Sequence, residues 1–276
     1  MIHRLYEYVD SDLRIHHAID EFPEDKDYPM HAHEWCEILG FIRGKGDYTI
    51  EGNVYCLEPG CILIMRPAET HKLHIDSSEP YERIMVNFPT TLIEKIDPSK
   101  KLLQSFIDRP LGQLNLYRNQ EFTTISGITY LREMVSVAYT REDQRLNIIT
   151  NLLPLLNAIK NIFIFKKTFE MNPSNRNTSQ LIIDYINAHL HEELSLEVLS
   201  RQFFLSKSQI SRLIKKATGC SVLDYITIKR LMRAREYILS GETATNASRL
   251  CGFNNYSSFY RAYVKHFPEL PSDLKK

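Results

Sequence analysis

Ser195-Leu-Glu-Val-Leu-Ser-Arg-Gln-Phe-Phe-Leu-Ser-Lys-Ser-Gln-Ile-Ser-Arg-Leu-Ile-Lys-Lys-Ala-Thr-Gly219 carries three helix punctuation marks. Ser195 can cap a helix that runs to about Gln202, with Leu196 and Leu199 on its inner face. Phe203 to Ser206 makes a turn, Ser206 caps a second helix from Lys207 to Thr218, and Gly219 stops it. On that second helix Ile210, Leu213, Ile214 and Ala217 share one face. Ser208, Ser211, Arg212 and Lys215 share the other at helical spacing. Small hydroxyls permit close approach to a DNA groove, an Arg fork matches guanine O6 and N7, and a Lys meets phosphate.

Downstream the pattern repeats. Ser221-Val-Leu-Asp224 opens a long helix through Ile226, Leu231, Ala234 and Ile238 to Gly241, with Arg230, Arg233 and Arg235 adding positive charge. Thr245 to Leu250 is a short helix, Cys251-Gly-Phe253 a tight turn, and Tyr256 to Phe267 a second reading helix. Phe259, Ala262 and Tyr263 face inward on it, and Ser257, Ser258, Arg261 and Lys265 face outward. Charge agrees. The 276 residues hold 34 basic and 34 acidic side chains, yet Thr178 to Lys276 has 14 basic and 9 acidic, a net of +5. A basic third behind an acidic remainder points to two jobs, one of them at a polyanion.

These residues carry a resemblance. Leu194-Ser-Leu-Glu-Val-Leu199, Phe204-Leu-Ser206, Ser211-Arg-Leu-Ile-Lys-Lys216 with Gly219, Arg230 with Ala234, and Gly252-Phe253 before Ser258-Phe-Tyr-Arg261 resemble the DNA-binding domain of the AraC/XylS transcription regulators. The likeness spans nearly all of Thr178 to Lys276. It implies two helix-turn-helix units, each placing a helix in the major groove of duplex DNA about one turn, roughly 34 Å, apart. By position it implies base reading by Ser208, Ser211 and Arg212, and by Tyr256, Ser257, Ser258, Tyr260 and Arg261, with Lys215 and Lys265 on phosphate. It also implies an activator that recruits RNA polymerase. Ala247 and Ser248 depart from the family's usual Ile and Ala, and Leu274 from its Tyr, so looser packing of the second unit is expected.

Up to about Pro89 the texture is β. Glu37 to Ile42, Asp47 to Glu51, Val54 to Leu57, Cys61 to Met65 and Arg83 to Asn87 are short strand-formers separated by turn residues, a pattern for a small barrel or sandwich. Gly52-Asn53 reads as a two-residue hairpin loop of type II′. His31, His33 and Glu37 share strand parity, so their side chains point to one face, and His71 can join them from another strand. Two or three His with one carboxylate suit Zn, Fe, Mn or Ni, and equally the wall of a ligand pocket. The spacing H-x-H-x3-E-x6-G from His31 to Gly44 resembles the first cupin motif. Gly60 through Pro67 to His71 resembles the second, with Glu69 at its usual Gly. Cupin-type sensor domains commonly precede this DNA-binding domain, and the resemblance implies a small-molecule effector, sugars among them. His74 falls out of register, and Cys36, of opposite parity, reads as core.

Glu121 to Tyr139 and Asp143 to Phe165 read as helices, the second with Leu146, Ile149, Leu153, Leu156, Ile159 and Ile164 as an apolar stripe and with Pro154 predicting a kink or a split. The stripe either packs on the barrel or makes a homodimer. Met171 to Ser179 reads as a linker. Five cysteines without a C-x-x-C pair suit reduced thiols in cytoplasm. No signal pattern or apolar span of ~20 residues is read, so no membrane partner is expected. The expected architecture is therefore an α+β multidomain chain. Residues 1–110 form a cupin-like effector-sensing β-barrel with flanking helices, 111–170 a helical linker and dimerisation region, and 178–276 an all-α domain with two helix-turn-helix units. A DNA-binding regulator rather than an enzyme is the expectation; the alternative is a metal-dependent cupin enzyme fused to a DNA-binding domain.

Overall fold

The structure is a computed structural model that describes residues 2–136, 140–170, 178–267 and 269–275. Its N-terminal part holds β1 (Ile2–Val9), β2 (Arg14–Asp20), β3 (Cys36–Arg43), β4 (Gly46–Ile50), β5 (Asn53–Cys56), β6 (Ile62–Met65), β7 (His71–Ile75), β8 (Tyr81–Phe88) and β9 (Leu116–Tyr117). They form an antiparallel sheet ordered β1-β2-β8-β3-β6-β9 and a second, β5-β4-β7. The barrel expected from the sequence is thus two sheets around one interior, with an isolated bridge between His31 and His71.

The larger sheet is buried on both faces. Leu39, Phe41, Leu63 and Tyr81 meet Tyr48, Ile50 and Leu73 of the smaller sheet inside. Ile38, Ile64, Ile84, Val86 and Phe88 face outward into a core closed by helices. Double burial is why β3 and β6 read as continuous apolar runs instead of alternating ones. The covering helices are α1 (Thr90–Ile96), α2 (Gln104–Ile107), α3 (Gly127–Met134) and α4 (Arg141–Glu170). A Cβ on Gly40 would lie 2.3 Å from Leu131 and 2.9 Å from Ile128, so this glycine lets α3 close on the sheet.

Four expectations need correction here. The helix expected from Glu121 begins at Gly127, behind a short 3-10 turn at Asn119–Glu121; residues 137–139 lie outside the described residues. Pro154 sits inside an unsplit α4. Burial of Leu152, Leu155, Leu156 and Ile159 around it offsets the ~3 kcal/mol that an interior proline costs. The β4–β5 loop is Glu51-Gly52, not Gly52-Asn53, because Ile50 pairs with Asn53. Its φ angles are 45° and 85°, both positive as a type I′ turn requires. By length and composition α4 could also cross a membrane, which the sequence reading did not find. Its Ile148, Leu152, Leu155, Leu156, Ile159 and Phe163 are instead packed against the sheet.

The linker expected at Met171–Ser179 lies outside the described residues up to 177, and Thr178 already opens α5 (Thr178–Ala188). Then follow α6 (Leu196–Phe203), α7 (Lys207–Thr218), α8 (Val222–Leu239), α9 (Ala244–Leu250) and α10 (Tyr256–His266). The predicted caps are present. Ser195 Oγ accepts from Val198 N at 3.2 Å, Ser206 Oγ from Gln209 N at 3.3 Å, and Gly219 takes φ 79°. Helix α8 is shared by two cores: Tyr225 and Ile226 join Leu199, Ile210 and Ile214, whereas Leu231, Ala234 and Ile238 join Phe259 and Tyr263. Ala247 and Ser248 are both buried, and Ser248 Oγ donates to Thr245 O at 2.8 Å, so the departures at these positions are accommodated.

Glu69, at the position where the cupin pattern has Gly, is fully buried. It accepts from Arg109 Nη1 at 2.7 Å and Nη2 at 2.6 Å, from Gly112 N at 2.7 Å and from Asn115 Nδ2 at 3.0 Å. Removing one partner leaves an uncompensated buried charge. Arg109→Ala is expected to lower unfolding stability by about 3–5 kcal/mol in denaturant titration. A loss below about 1 kcal/mol would show that water replaces the guanidinium there.

Candidate nucleic-acid interface and ligand site

Helices α7 and α10 each bury one face and free the other. Inward lie Ile210, Ile214 and Ala217 on α7, and Phe259 and Tyr263 on α10. Ser208, Arg212, Lys215, Tyr256, Ser257, Tyr260, Arg261 and Lys265 are exposed, and Ser211 and Ser258 half-buried. Among the described residues Arg212, Lys215, Arg261 and Lys265 take part in no ion pair. Both helices start with a side-chain cap, from Ser206 and from Asn255, whose Oδ1 accepts from Ser258 N at 2.8 Å.

Two of the three arginines of α8, Arg230 and Arg235, have a different role from the one expected. Arg230 donates to the carbonyls of Leu190 (2.9 Å) and Glu192 (2.6 Å). Arg233 pairs with Glu236 at 2.6 Å. Arg235 is buried between Glu34, Glu269 and the Tyr263 hydroxyl. Arg230 and Arg235 hold the fold together, whereas Arg233 stays exposed beside Glu236 on the helix surface.

The four residues expected at the sensor site meet. Ring centroids of His71 lie 4.2 Å from His31 and 5.1 Å from His33, and the three imidazoles can place ligand nitrogens within 4.8 Å of one another. Glu37 joins through His33 Nε2, which donates to Glu37 Oε2 at 3.0 Å. Each Nδ1 faces a backbone carbonyl: His31 to Pro29 at 3.0 Å, His33 to Trp35 at 2.9 Å, His71 to Glu69 at 2.8 Å. Those bonds fix the ring orientation and leave the Nε2 of His31 and His71 as lone pairs, as second-shell partners do in metal sites. Burial, with His31 close by, pushes His71 down to about 3, so its ring is neutral. Burial would raise the Glu37 carboxyl, but the hydrogen bond from His33 and the nearby rings hold it well below the usual range. Burial likewise opposes charge on His33, and the bond to Glu37 outweighs it and raises this ring. The donor set fits a divalent cation. His74 points away and lies 3.4 Å from Asp25, and Cys36 is core, as the parity predicted.

Sequence reasoning missed what joins this site to the helices. Glu51, 1 % exposed, accepts from Lys229 Nζ at 2.8 Å, from the Tyr225 hydroxyl, and from Thr70 N at 2.6 Å and Oγ1 at 3.0 Å. Lys229 also donates to Ala68 O at 2.7 Å, and Arg235 to Glu34 Oε1 at 2.7 Å. So α8 grips the two segments that carry the histidines, one next to His33 and one just before His71. A signal existed: Lys229 and Arg235 interrupt the inward face of α8, where a buried cation needs a partner.

Comparison with known proteins agrees with both halves. The family profile of the AraC-like ligand binding domain matches residues 18–125, and that of a helix-turn-helix domain matches 199–276. The chain is 21 % identical over 278 residues to the HTH-type transcriptional activator RhaS of Escherichia coli, covering 96 % of this chain and 98 % of that one. Among solved structures, ToxT from Vibrio cholerae is 10 % identical, with 95 % of this chain and 96 % of that one covered at a TM-score of 0.38. An AraC-type DNA-binding regulator from Chromobacterium violaceum is 25 % identical over 34 % of this chain and 85 % of that one, at a TM-score of 0.32.

Zinc or nickel titrated into the metal-free chain is expected to bind at about one equivalent, and His71→Ala to weaken it at least tenfold by calorimetry. Absence of binding in the wild type would assign the histidines to an organic ligand alone.

Proposed function

The chain belongs to the AraC family of transcription regulators, and from that premise we propose that it is a sequence-specific, effector-controlled activator. Residues 1–110 sense, 111–170 link and dimerise, and 178–276 read DNA. One observation carries this reading: two capped helices, mounted on one shared helix, turn outward a set of small hydroxyls and four cations that have no ion-pair partner among the described residues. Arg212 and Arg261 read guanine edges. Ser208, Ser211, Tyr256, Ser257, Ser258 and Tyr260 approach neighbouring bases, and Lys215 and Lys265 neutralise phosphate. Affinity then falls steeply with salt as counterions are released.

The effector, a sugar or related metabolite, enters between the sheets near His31, His33, Glu37 and His71, with or without a divalent metal. Its arrival is relayed through Glu34–Arg235 and Glu51–Lys229, because Glu34 follows His33 in the chain, and Glu51 and Lys229 bond to Thr70 and Ala68 just before His71. The ligand shifts the balance between two placements of α8, and hence of α7 and α10. Leu146, Ile164 and Phe165 on α4, exposed and apolar, form the surface for a second copy. A cytoplasmic homodimer that recruits RNA polymerase completes the proposal.

Genome-wide mapping of bound DNA supplies the operator for two tests. Arg212→Ala is expected to weaken operator binding by about 1–3 kcal/mol in fluorescence anisotropy and to relax base choice at one position. An equal loss on random DNA would remove Arg212 from base reading. Glu34→Ala is expected to change the operator Kd of the ligand-free chain at least about threefold with the fold intact by circular dichroism. An unchanged Kd would take the contact out of the regulatory route.

A further inference from the structure

Five Lys or Arg side chains are buried among the described residues: Arg83, Arg109, Lys166, Lys229 and Arg235. Four have a carboxylate partner, respectively Glu69 for Arg109, Glu121 for Lys166, Glu51 for Lys229 and Glu34 for Arg235. Arg83 has none within ion-pair distance among the described residues, although it is only 8 % exposed. Its Nη1 has no hydrogen-bond partner among the described residues.

Strand register aims this side chain inward. On β8, Ile84, Val86 and Phe88 point to the helix-covered core, whereas Tyr81 and Met85, of the same parity as Arg83, line the space between the sheets. Two rings wall the guanidinium: its Cζ lies 4.7 Å from the Tyr81 centroid and 5.5 Å from that of Tyr28. The Tyr28 hydroxyl donates to Asp20 at 2.9 Å, so that acid is already engaged. Two further orphaned atoms share this parity. Arg83 pairs with Phe41 and Asn87 with Glu37, which puts Glu37 four residues, or about 13 Å of strand, along the same inner face. Glu37 Oε1 is buried without a partner, as is the Nε2 of His71, whose ring stacks 5.9 Å from Tyr48 on the facing sheet.

A buried cation without a counter-ion is expensive, and the other four show that this chain supplies one where the fold alone needs it. We infer that the interior of the sensor domain binds a small hydroxylated carboxylic acid, such as a sugar acid. Its carboxylate sits on the Arg83 fork, and its hydroxyls point toward Glu37 and His71. A guanidinium matches a carboxylate bidentately, and the flanking tyrosines hold the fork in plane. Glu37 Oε1 and His71 Nε2 are acceptors with no donor among the described residues, and hydroxyl groups supply donors. A neutral sugar would leave Arg83 uncompensated. The inference rests on the proposed reading of this domain as a small-molecule sensor and narrows it to an acid.

Matched pairs test it on the full chain: glucuronate against glucose, galacturonate against galactose, gluconate against glucitol, each at millimolar concentration in thermal unfolding. At least one acid is expected to raise the Tm while its neutral counterpart does not, since a ligand of the native state stabilises it. Arg83→Met is expected to weaken that acid at least about thirtyfold, and Arg83→Lys less. Ligand-free Arg83→Met is expected to melt at or above the wild type, because an uncompensated charge is gone. Equal stabilisation by neutral sugars, no stabilisation by any acid, unchanged binding in Arg83→Met, or a drop of more than about 5 °C in its ligand-free Tm would each overturn the inference. Operator binding by the same samples separates the two layers. With it intact, a failure concerns Arg83 alone; without it, the regulator reading itself falls.

Discussion

The carboxylate of Glu51 is nearly sealed from water, and a sealed charge must be met by donors. In this molecule the donors come from both halves. Thr70 belongs to the sensor sheets, Lys229 and Tyr225 to the helix shared by the two DNA-binding units. The backbone is bent to deliver it: φ 45° at Glu51 is left-handed, a conformation that side chains other than Asn, Asp and Gly rarely adopt. Next to it, a Cβ on Gly52 would lie 2.6 Å from Ile183, so the glycine also lets the hairpin seat against α5. A strained turn persists where surrounding contacts over-determine it. Here those contacts are the ones that join the two halves.

The same rule sorts the remaining charges by role. Glu69 with Arg109 and Lys166 with Glu121 are closed pairs inside the N-terminal half, and they fix loops to sheets. Arg235 is closed by Glu34 and Glu269 and lies 4.3 Å over the Phe267 ring, which ties the second helical core to the histidine-bearing segment. Among the described residues Arg83 stays open toward the interior between the sheets, near the unpartnered Glu37 Oε1 and His71 Nε2, while Arg212, Lys215, Arg261 and Lys265 stay open toward solvent. Charges that the fold satisfies hold it together. Charges that it leaves unsatisfied are where ligands and phosphates are proposed to bind.

Helical punctuation in the last third was legible because it is local. Ser206 with Gln209, and Gly219 at positive φ, act within a few residues of themselves, so the limits of α7 followed directly. The strand parity expected for His31, His33 and Glu37 does not run through them, since β3 starts only at Cys36; the His31–His71 bridge and the His33–Glu37 bond bring them together instead. The type of the β4–β5 turn was misread because register, not composition, decides which two residues form a loop. The bridging of His31 to His71, with N to O distances of 3.1 and 2.9 Å, brings together residues forty positions apart that no local pattern links.

The order of residues alone established the two helix-turn-helix units behind a β-rich domain and the buried and free faces of α7 and α10. Each follows from short-range periodicity, capping or parity. Tertiary structure alone decided that Arg230 and Arg235 of α8 bind inward, that Glu51 and Glu34 couple the halves, and that Arg83 has no counter-ion among the described residues. Whether a buried charge is paired depends on chain segments far apart in sequence, and only their packing brings a partner within reach or withholds it.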